Sequence, residues 1–158
     1  MDDANRLISI LTKQGKTLVT AESCTGGLLG SMLTDVPGAS KVYLGGIISY
    51  AYALKEQFLG VDHDLLEKKG AVCAEVARQM AIGARERLHA DYALSVTGNA
   101  GPGTDPLNPN VGEIYIACAD ADGCSVRLLE LCGDRNENRK TACTESLQLC
   151  IFKALSSI

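Results

Sequence analysis

A serine in a glycine-rich turn is the first residue of this sequence that could act as a nucleophile. Residues 21–27 read Ala-Glu-Ser-Cys-Thr-Gly-Gly and place Ser23 between a short apolar run and the start of a helix pattern. A serine on a sharp strand-to-helix turn exposes its hydroxyl, and nearby backbone amides can stabilise an oxyanion or bind a phosphate. Gly26 and Gly27 would let a ligand approach the backbone closely. The turn resembles a nucleophile elbow without the Gly-x-Ser-x-Gly pattern, so a purely structural turn is the alternative.

Cys24 is a second candidate nucleophile in the same turn. A cysteine reacts as its thiolate and needs a lowered pKa, and nothing in the neighbouring sequence supplies one. The two histidines, His63 and His89, fall in a short polar helix pattern and at the end of a surface helix pattern. Ser23 is therefore the preferred candidate nucleophile over Cys24, and a catalytic Ser23 would need a base other than histidine.

Tyr50 and Lys55 are the candidates for that base and its partner. Lys55 lies five residues after Tyr50, on a helix pattern that starts at the end of a strand pattern, so both side chains could face one pocket. Desolvation lowers the pKa of a lysine, and its neutral amine can then accept a proton that a tyrosine relays. The alternative is a surface lysine beside a packed tyrosine. The short-chain dehydrogenase pattern does not fit, because neither Tyr-x-x-x-Lys nor the glycine fingerprint is present.

Two further polar segments follow strand patterns. Residues 97–103 read Thr-Gly-Asn-Ala-Gly-Pro-Gly, and their amides could form a nest around a phosphate or an amide group, or simply build a loop. Arg135 follows the last strand pattern and precedes the last helix pattern. Its guanidinium could bind a phosphate or pair with Asp134.

The elements that must position these side chains alternate along the chain. Helix patterns cover residues 4–14, 28–33, 51–59, 62–69, 75–88 and a segment from about 136, and strand patterns cover 17–21, 42–50, 92–97, 113–119 and 125–131. Helices between the first strands favour parallel pairing, and the short turn between the last two strands favours an antiparallel hairpin. We therefore predict an α/β fold with a mixed, mainly parallel sheet covered by helices on both faces, in a single domain over residues 1–158.

Composition narrows the class of function. The net charge is −4, which argues against nucleic acid or an anionic membrane as a partner, because both need a basic surface. No apolar run approaches the ~20 residues that span a bilayer, and the N-terminus does not resemble a signal peptide. The seven cysteines form no Cys-x-x-Cys pair and none lies at metal-ligand spacing from a histidine. We predict a cytoplasmic protein with reduced thiols and no metal site.

Together these segments resemble the CinA C-terminal domain family. The matching motifs occur in the family's order over nearly the whole chain, at residues 21–27, 34–38, 45–50, 59–61, 70–72, 96–98, 100–102, 111–112 and 133–135, together with Lys55. One of these motifs alone would mean little, whereas the ordered set is specific.

The resemblance implies a nicotinamide-nucleotide amidohydrolase, which converts nicotinamide mononucleotide and water to nicotinate mononucleotide and ammonia. It implies a three-layer α/β/α domain, often a homodimer, that needs no cofactor or metal. The family's catalytic residues fall on Ser23, Tyr50 and Lys55. The residues expected to line the nucleotide pocket are Cys24, Thr25, Gly26, Gly27, Gly46, Thr97, Gly98, Gly101 and Arg135.

Two segments depart from the family pattern. Residues 103–110 read Gly-Thr-Asp-Pro-Leu-Asn-Pro-Asn, without the Gly-Gly and Glu-Lys-Pro run of relatives, and Asn99 replaces a frequent aliphatic residue. After Arg135 the usual hydrophobic-Arg ending is replaced by Asn-Glu-Asn-Arg, although Arg139 remains. These changes leave two alternatives open, a nucleotide-binding protein without catalysis and an amidase for another small amide. The N-terminal pyrophosphatase-type domain of larger members is not expected in this chain.

Overall fold

The computed structural model describes residues 1–157, and Ile158, the last residue of the predicted domain, lies outside them. The elements run in the order α1 (Asp3–Gln14), β1 (Leu18–Glu22), α2 (Leu28–Thr34), a short 3₁₀ helix (Ala39–Lys41), β2 (Tyr43–Ile48), α3 (Tyr52–Leu59), α4 (His63–Lys69), α5 (Ala74–Leu88), β3 (Tyr92–Gly98), β4 (Glu113–Asp120), β5 (Gly123–Glu130) and α6 (Arg135–Ser156). The predicted order of helices and strands is confirmed. The 3₁₀ helix is an addition that the sequence patterns did not signal.

The five strands form one mixed sheet in the order β2-β1-β3-β4-β5. Strand β1 pairs in parallel with both β2 and β3, and β4 pairs antiparallel with both β3 and β5. Four strands therefore point the same way and β4 alone runs in the opposite direction. Strand β4 is reversed because a loop, and no crossover helix, connects it to β3. The predicted fold class is confirmed.

Successive residues of the central strands face opposite layers of helices. Leu18 and Leu94 face a core that includes residues of α1, α2 and α6, whereas Val19 and Ala93 face a core that includes residues of α3, α4 and α5. All four side chains are fully buried. Alternation of apolar side chains across a sheet with both faces covered gives the three-layer α/β/α arrangement.

The carboxyl ends of β1, β2, β3 and β5 meet at one edge of the sheet. Ser23 follows β1, Tyr50 follows β2, Asn99 follows β3, and Arg135 opens α6 after β5. Strand β1 lies between β2 and β3 in the sheet. The connection from β1 leads to its neighbour on one side, β2, and the next strand of the chain, β3, is its neighbour on the other side. Such a reversal of strand order opens a crevice at the strand ends, which is where open α/β sheets bind ligands.

Glu22, the last residue of β1, fixes the turn that carries Ser23. Its buried carboxylate accepts hydrogen bonds from the Thr25 hydroxyl at 2.6 Å and from three backbone amides. These amides belong to Gly27 at 3.2 Å, Leu29 at 2.9 Å and Gly30 at 3.0 Å. A carboxylate that accepts hydrogen bonds from the unpaired amides at a helix start stabilises both the helix and the turn that leads into it. Glu22 therefore sets how α2 leaves β1, and the turn between them has one conformation.

Replacement of Glu22 by alanine should destabilise the fold strongly. Glu22→Ala leaves three backbone amides and one buried hydroxyl without an acceptor, and we expect the free energy of unfolding to fall by about 3 kcal/mol. The measurement is urea unfolding followed by circular dichroism. Glu86→Ala, at an exposed glutamate of α5, is the matched control and should change stability by less than about 0.5 kcal/mol. Equal losses in the two variants would show that the Glu22 carboxylate does not hold the turn.

Candidate active site

A direct contact between Ser23 and Lys55 forms the centre of the site. The Lys55 Nζ atom lies 2.8 Å from Ser23 Oγ, although the two residues are separated by 32 positions in the sequence. Ser23 is buried at the end of β1, and Lys55 is fully buried in α3. The structure thus brings together the two side chains that the sequence proposed as nucleophile and base.

Two backbone carbonyls hold the Lys55 amine in a defined orientation. Nζ donates to the Ser49 carbonyl at 2.5 Å and to the Tyr50 carbonyl at 3.2 Å. A neutral amine has two N–H donors and one lone pair. With both N–H groups directed to these carbonyls, the lone pair is left for the third neighbour, the Ser23 hydroxyl. The loop after β2 therefore orients the amine as a proton acceptor from Ser23.

Burial shifts the protonation of this amine. Desolvation disfavours the ammonium form and lowers the pKa of Lys55 from 10.5 to about 8, while the nearby Cys24 and Asp105 act in the opposite direction. Among residues 1–157, no carboxylate forms an ion pair with Lys55. A substantial fraction of Lys55 is therefore neutral near physiological pH, which is the state that a general base needs.

The cysteine next to Ser23 has the opposite character. Cys24 is buried, and desolvation raises the pKa of its thiol to about 11. Its thiolate is therefore scarce at neutral pH, and the preference for Ser23 over Cys24 agrees with this environment. The histidines provide no alternative base, because His63 is exposed and bonded to Glu56, and His89 is exposed at the end of α5.

Tyr50 contributes its backbone and its side chain to different parts of the site. Its carbonyl accepts from Lys55, as described above, but its side chain is 62% exposed. The phenol oxygen lies 3.5 Å from the Arg135 guanidinium and has no hydrogen bond to Ser23 or Lys55 within residues 1–157. The structure therefore places the Tyr50 hydroxyl beside Arg135 and away from the Ser23–Lys55 pair. A proton relay through this hydroxyl has no hydrogen bond to support it.

The amides of the Ser23 turn divide into two groups. Gly26 donates to the Ser23 carbonyl at 3.1 Å, and Gly27 donates to Glu22, so these amides are already used within the turn. The amides of Cys24 and Thr25 donate to no carbonyl or carboxylate oxygen in the described part of the chain. Glu22 therefore already occupies the start of α2, and the amides left without an oxygen acceptor are those of the two residues after Ser23.

Helix α6 clamps the same turn from the other side. The Arg139 guanidinium donates to the carbonyls of Cys24 at 3.0 Å and Thr25 at 2.9 Å. Buried Asn138 donates to the Ala100 carbonyl at 3.0 Å and so ties α6 to the loop after β3. Sequence reasoning noted Arg139 but assigned it no role, and it missed Asn138 and Glu22 altogether. In the sequence these residues stand beside the turn motifs, but that position does not show which groups their side chains contact.

A pocket of about 330 Å³ opens above the Ser23–Lys55 pair. Of the residues expected in it, the structure places six in the lining, namely Ser23, Cys24, Tyr50, Thr97, Gly98 and Arg135. Thr25, Gly26, Gly27, Gly46 and Gly101 do not line it. Thr25 is buried against Glu22, and a Cβ on Gly46 would meet Thr20 Oγ1. Gly101 contributes its carbonyl, which accepts from Arg135 at 2.9 Å.

The first departure from the family pattern, which comprises Asn99 and the loop of residues 103–110, contributes to the pocket wall. Buried Asn99 accepts from the Asp105 amide at 2.8 Å and donates to the carbonyls of Asn108 at 3.1 Å and Asn110 at 3.0 Å. Asn108 in turn donates to the Val72 carbonyl at 3.2 Å. The polar residue at position 99 therefore holds the altered loop in place, so the two changes are parts of one structure. The loop was the least certain part of the sequence interpretation, and it is held by buried hydrogen bonds.

Within residues 1–157, no group of three His, Cys, Asp or Glu side chains is arranged to hold a metal ion. No helix in the same part of the chain is long and apolar enough to cross a membrane.

Comparison with known proteins identifies the family. The sequence model described as CinA C-terminal domain matches residues 2–153. The CinA-like protein of Desulfotalea psychrophila is 47% identical over 139 residues, which are 88% of this chain and 34% of the relative. The CinA-like protein of Parasynechococcus marenigrum is 46% identical over 155 residues, 98% of this chain and 36% of the relative. The chain thus spans about a third of the length of these curated relatives.

Solved structures show the same fold. The competence/damage inducible protein CihA from Agrobacterium tumefaciens superposes with a TM-score of 0.91 at 36% identity, covering 94% of this chain and 92% of the other. A competence-damaged protein (CinA) superfamily member from Escherichia coli gives a TM-score of 0.90 at 30% identity, covering 94% and 88%. The sequence motifs, the fold and these comparisons agree, and the chain belongs to the CinA C-terminal domain family.

Proposed function

We propose that this protein is an amidohydrolase that deamidates nicotinamide mononucleotide. The observation that carries the proposal is the buried Lys55 amine, oriented by two carbonyls and 2.8 Å from the Ser23 hydroxyl beneath a pocket. A serine paired with a neutral lysine is an arrangement for nucleophilic attack on an amide. The identity of the amide comes from the family resemblance, because the names of the relatives state no reaction.

The first half of the reaction forms an acyl-enzyme. Lys55 takes the proton of the Ser23 hydroxyl as Oγ bonds to the carboxamide carbon of the substrate. The protonated Lys55 then delivers that proton to the departing nitrogen, the carbon–nitrogen bond breaks, and ammonia leaves. In the second half, water attacks the ester and Lys55 again accepts the proton, which returns to Ser23 Oγ when the acid is released.

The negative charge of the tetrahedral intermediate needs donors near Ser23. The amide of the residue after a nucleophilic serine is the usual donor, and here that is Cys24. Its amide and that of Thr25 are free of other oxygen acceptors within residues 1–157, whereas Gly26 and Gly27 are not. Of these two residues only Cys24 lines the pocket, and we therefore assign the oxyanion site to the Cys24 amide.

The pocket suits a mononucleotide. Its volume lies at the lower end of the ~300–1,000 Å³ range of ligand sites, which favours a ligand of moderate size. Arg135 lines the pocket and is partly held by the Gly101 carbonyl, so a guanidinium is available to a phosphate. The Tyr50 hydroxyl beside it is a second donor. In this arrangement the carboxamide lies at Ser23 and the phosphate near Arg135.

The remaining parts of the assignment rest on the sequence composition and on the family resemblance. We propose a cytoplasmic homodimer that needs neither metal nor cofactor. The exposed apolar side chains of Leu44 and Ile48 on edge strand β2 are compatible with a partner subunit at that edge.

Removal of either member of the Ser23–Lys55 pair should abolish ammonia release from nicotinamide mononucleotide. We expect Ser23→Ala to lower kcat about 1,000-fold and Lys55→Met at least about 100-fold, because the nucleophile and its base act as one unit. The measurement is a coupled ammonia assay with purified protein. Ser31→Ala and Lys68→Ala, both at exposed positions, are the matched controls and should retain wild-type rates.

The same assay separates the alternatives. A protein that binds the nucleotide in calorimetry but releases no ammonia would be a binding protein without catalysis. Release of ammonia from other small amides, and none from nicotinamide mononucleotide, would identify a different amidase. Wild-type rates in Ser23→Ala would contradict the mechanism.

Loss of the Tyr50 hydroxyl should affect substrate binding more than chemistry. Tyr50→Phe keeps the backbone carbonyl that orients Lys55 and removes only the hydroxyl beside Arg135. We expect KM to rise severalfold while kcat changes less than about threefold, since the lost interaction is with bound substrate. Steady-state kinetics measures both. A fall in kcat of about 100-fold with KM unchanged would instead establish the hydroxyl as a proton relay.

A further inference from the structure

The loop that departs from the family pattern places an acidic side chain in the pocket wall. Asp105 lies between β3 and β4 and lines the same pocket as Ser23 and Arg135. It is half-buried, and the pocket lining holds no charged side chain other than Asp105 and Arg135 in the described part of the chain. The pocket therefore has one fixed negative and one fixed positive group.

The Asp105 carboxylate is held rigidly. It accepts from the Tyr52 hydroxyl, from the Ala71 amide at 3.2 Å and from the Leu107 amide at 3.0 Å. Desolvation and the adjacent carboxylate raise the pKa of Tyr52 to about 12, so the phenol stays protonated and remains a donor. Asn99 fixes the backbone by accepting from the Asp105 amide. The negative group is therefore preorganised at one place on the wall.

The Asp105 carboxylate has no ion-pair partner in the described part of the chain. Its three hydrogen-bond donors are neutral groups, which satisfy the oxygens but do not cancel the charge. Its field extends into the site, because it also acts on Lys55 and raises the pKa of that amine. A partly enclosed, uncompensated anion attracts a cation into the pocket.

The oxidised and reduced forms of nicotinamide mononucleotide have nearly identical shapes but differ in the charge of the nicotinamide ring. The oxidised nicotinamide ring of nicotinamide mononucleotide carries a permanent positive charge, whereas the ring of the reduced mononucleotide is neutral. Both carry the same carboxamide, ribose and phosphate. The pyridinium nitrogen has no N–H to donate, so a protein recognises it through charge and ring faces and not through a hydrogen bond to that atom.

We propose that Asp105 is a specificity-determining residue that selects carboxamides on a cationic ring over neutral carboxamides of the same shape. This inference rests on the proposed function for the choice of substrate. In the bound state the cationic ring lies in the field of Asp105 and the phosphate lies near Arg135, so the ligand's two charges match the two charged groups of the pocket. The loop of residues 103–110 thus forms part of the pocket wall and also supplies Asp105, the residue that recognises the cationic ring.

Calorimetry on the Ser23→Ala protein tests this without turnover. The two ligands are oxidised and reduced nicotinamide mononucleotide at pH 8 and low salt. We expect the oxidised form to bind about fivefold to tenfold more tightly, because a charge interaction in a partly enclosed site is only partly screened. Adding Asp105→Asn should bring the two affinities within about twofold, chiefly by weakening the oxidised form. Asp122→Asn changes an exposed aspartate in the turn between β4 and β5 and is the matched control. It should keep the preference for the oxidised ligand.

Several outcomes would overturn the proposal. Equal binding of the two ligands by the Ser23→Ala protein would do so, as would binding of neither. An equal loss of both affinities in Asp105→Asn would show that the residue only supports the loop. The two-ligand comparison requires no change at Asp105, so equal binding overturns the proposal even if that variant does not fold.

The readout is separable from the proposed activity. A preference for the oxidised ligand that depends on Asp105, in a wild-type protein that releases no ammonia, would support the selection and refute the amidohydrolase. Ammonia release without any preference between the two ligands would support the amidohydrolase and refute the selection by Asp105.

Discussion

A buried amine without an anionic partner is the constraint on which the site depends. Lys55 is enclosed in α3, and its three polar neighbours are the Ser23 hydroxyl and two backbone carbonyls. An ammonium group in such surroundings loses much of its hydration. The neutral form of the amine is therefore more favoured here than it is for a lysine in water. The carbonyls then determine where the lone pair points. In the proposed mechanism, the reactivity of the Ser23–Lys55 pair depends on the burial and the orientation of this amine.

The rest of the fold serves to bring that amine to the serine. Strand β1 supplies Ser23 and strand β2 leads into the loop whose carbonyls orient Lys55, and the two strands are parallel neighbours in the sheet. Glu22 fixes the turn from within, while Arg139 binds its carbonyls from α6. The site is thus held by backbone hydrogen bonds from three directions. A preorganised arrangement of this kind costs little reorganisation when the substrate binds.

Sequence reasoning could predict the parts of this structure that depend on pattern. Apolar runs, glycine stops and the alternation of elements predicted the helices, the strands and the mixed sheet. Residue type and position at strand ends made Ser23 and Lys55 candidates, and the family resemblance assigned both as catalytic residues. The capping role of Glu22 and the separation of the Tyr50 hydroxyl from Lys55 were not predictable, because both depend on how one side chain turns within a loop. Gly46 looked like a ligand contact, yet its missing side chain makes room for Thr20. The loop of residues 103–110 carried no pattern at all, and only coordinates show that Asn99 holds it.

The central claim is that burial lowers the pKa of Lys55 enough for its amine to accept the Ser23 proton, and titration of that one amine tests it most directly. Nuclear magnetic resonance of protein labelled with ¹³C at the lysine ε-carbon resolves each lysine, and the signal missing from Lys55→Met identifies residue 55. We predict that this signal titrates with a midpoint near pH 8, the pKa to which burial lowers it. Because the amine is neutral above its pKa, the fraction able to accept the Ser23 proton grows as the pH rises through this midpoint. A midpoint for Lys55 at the ordinary lysine value of 10.5 would contradict the account, since the amine would then be an ammonium ion under the conditions in which it must accept a proton.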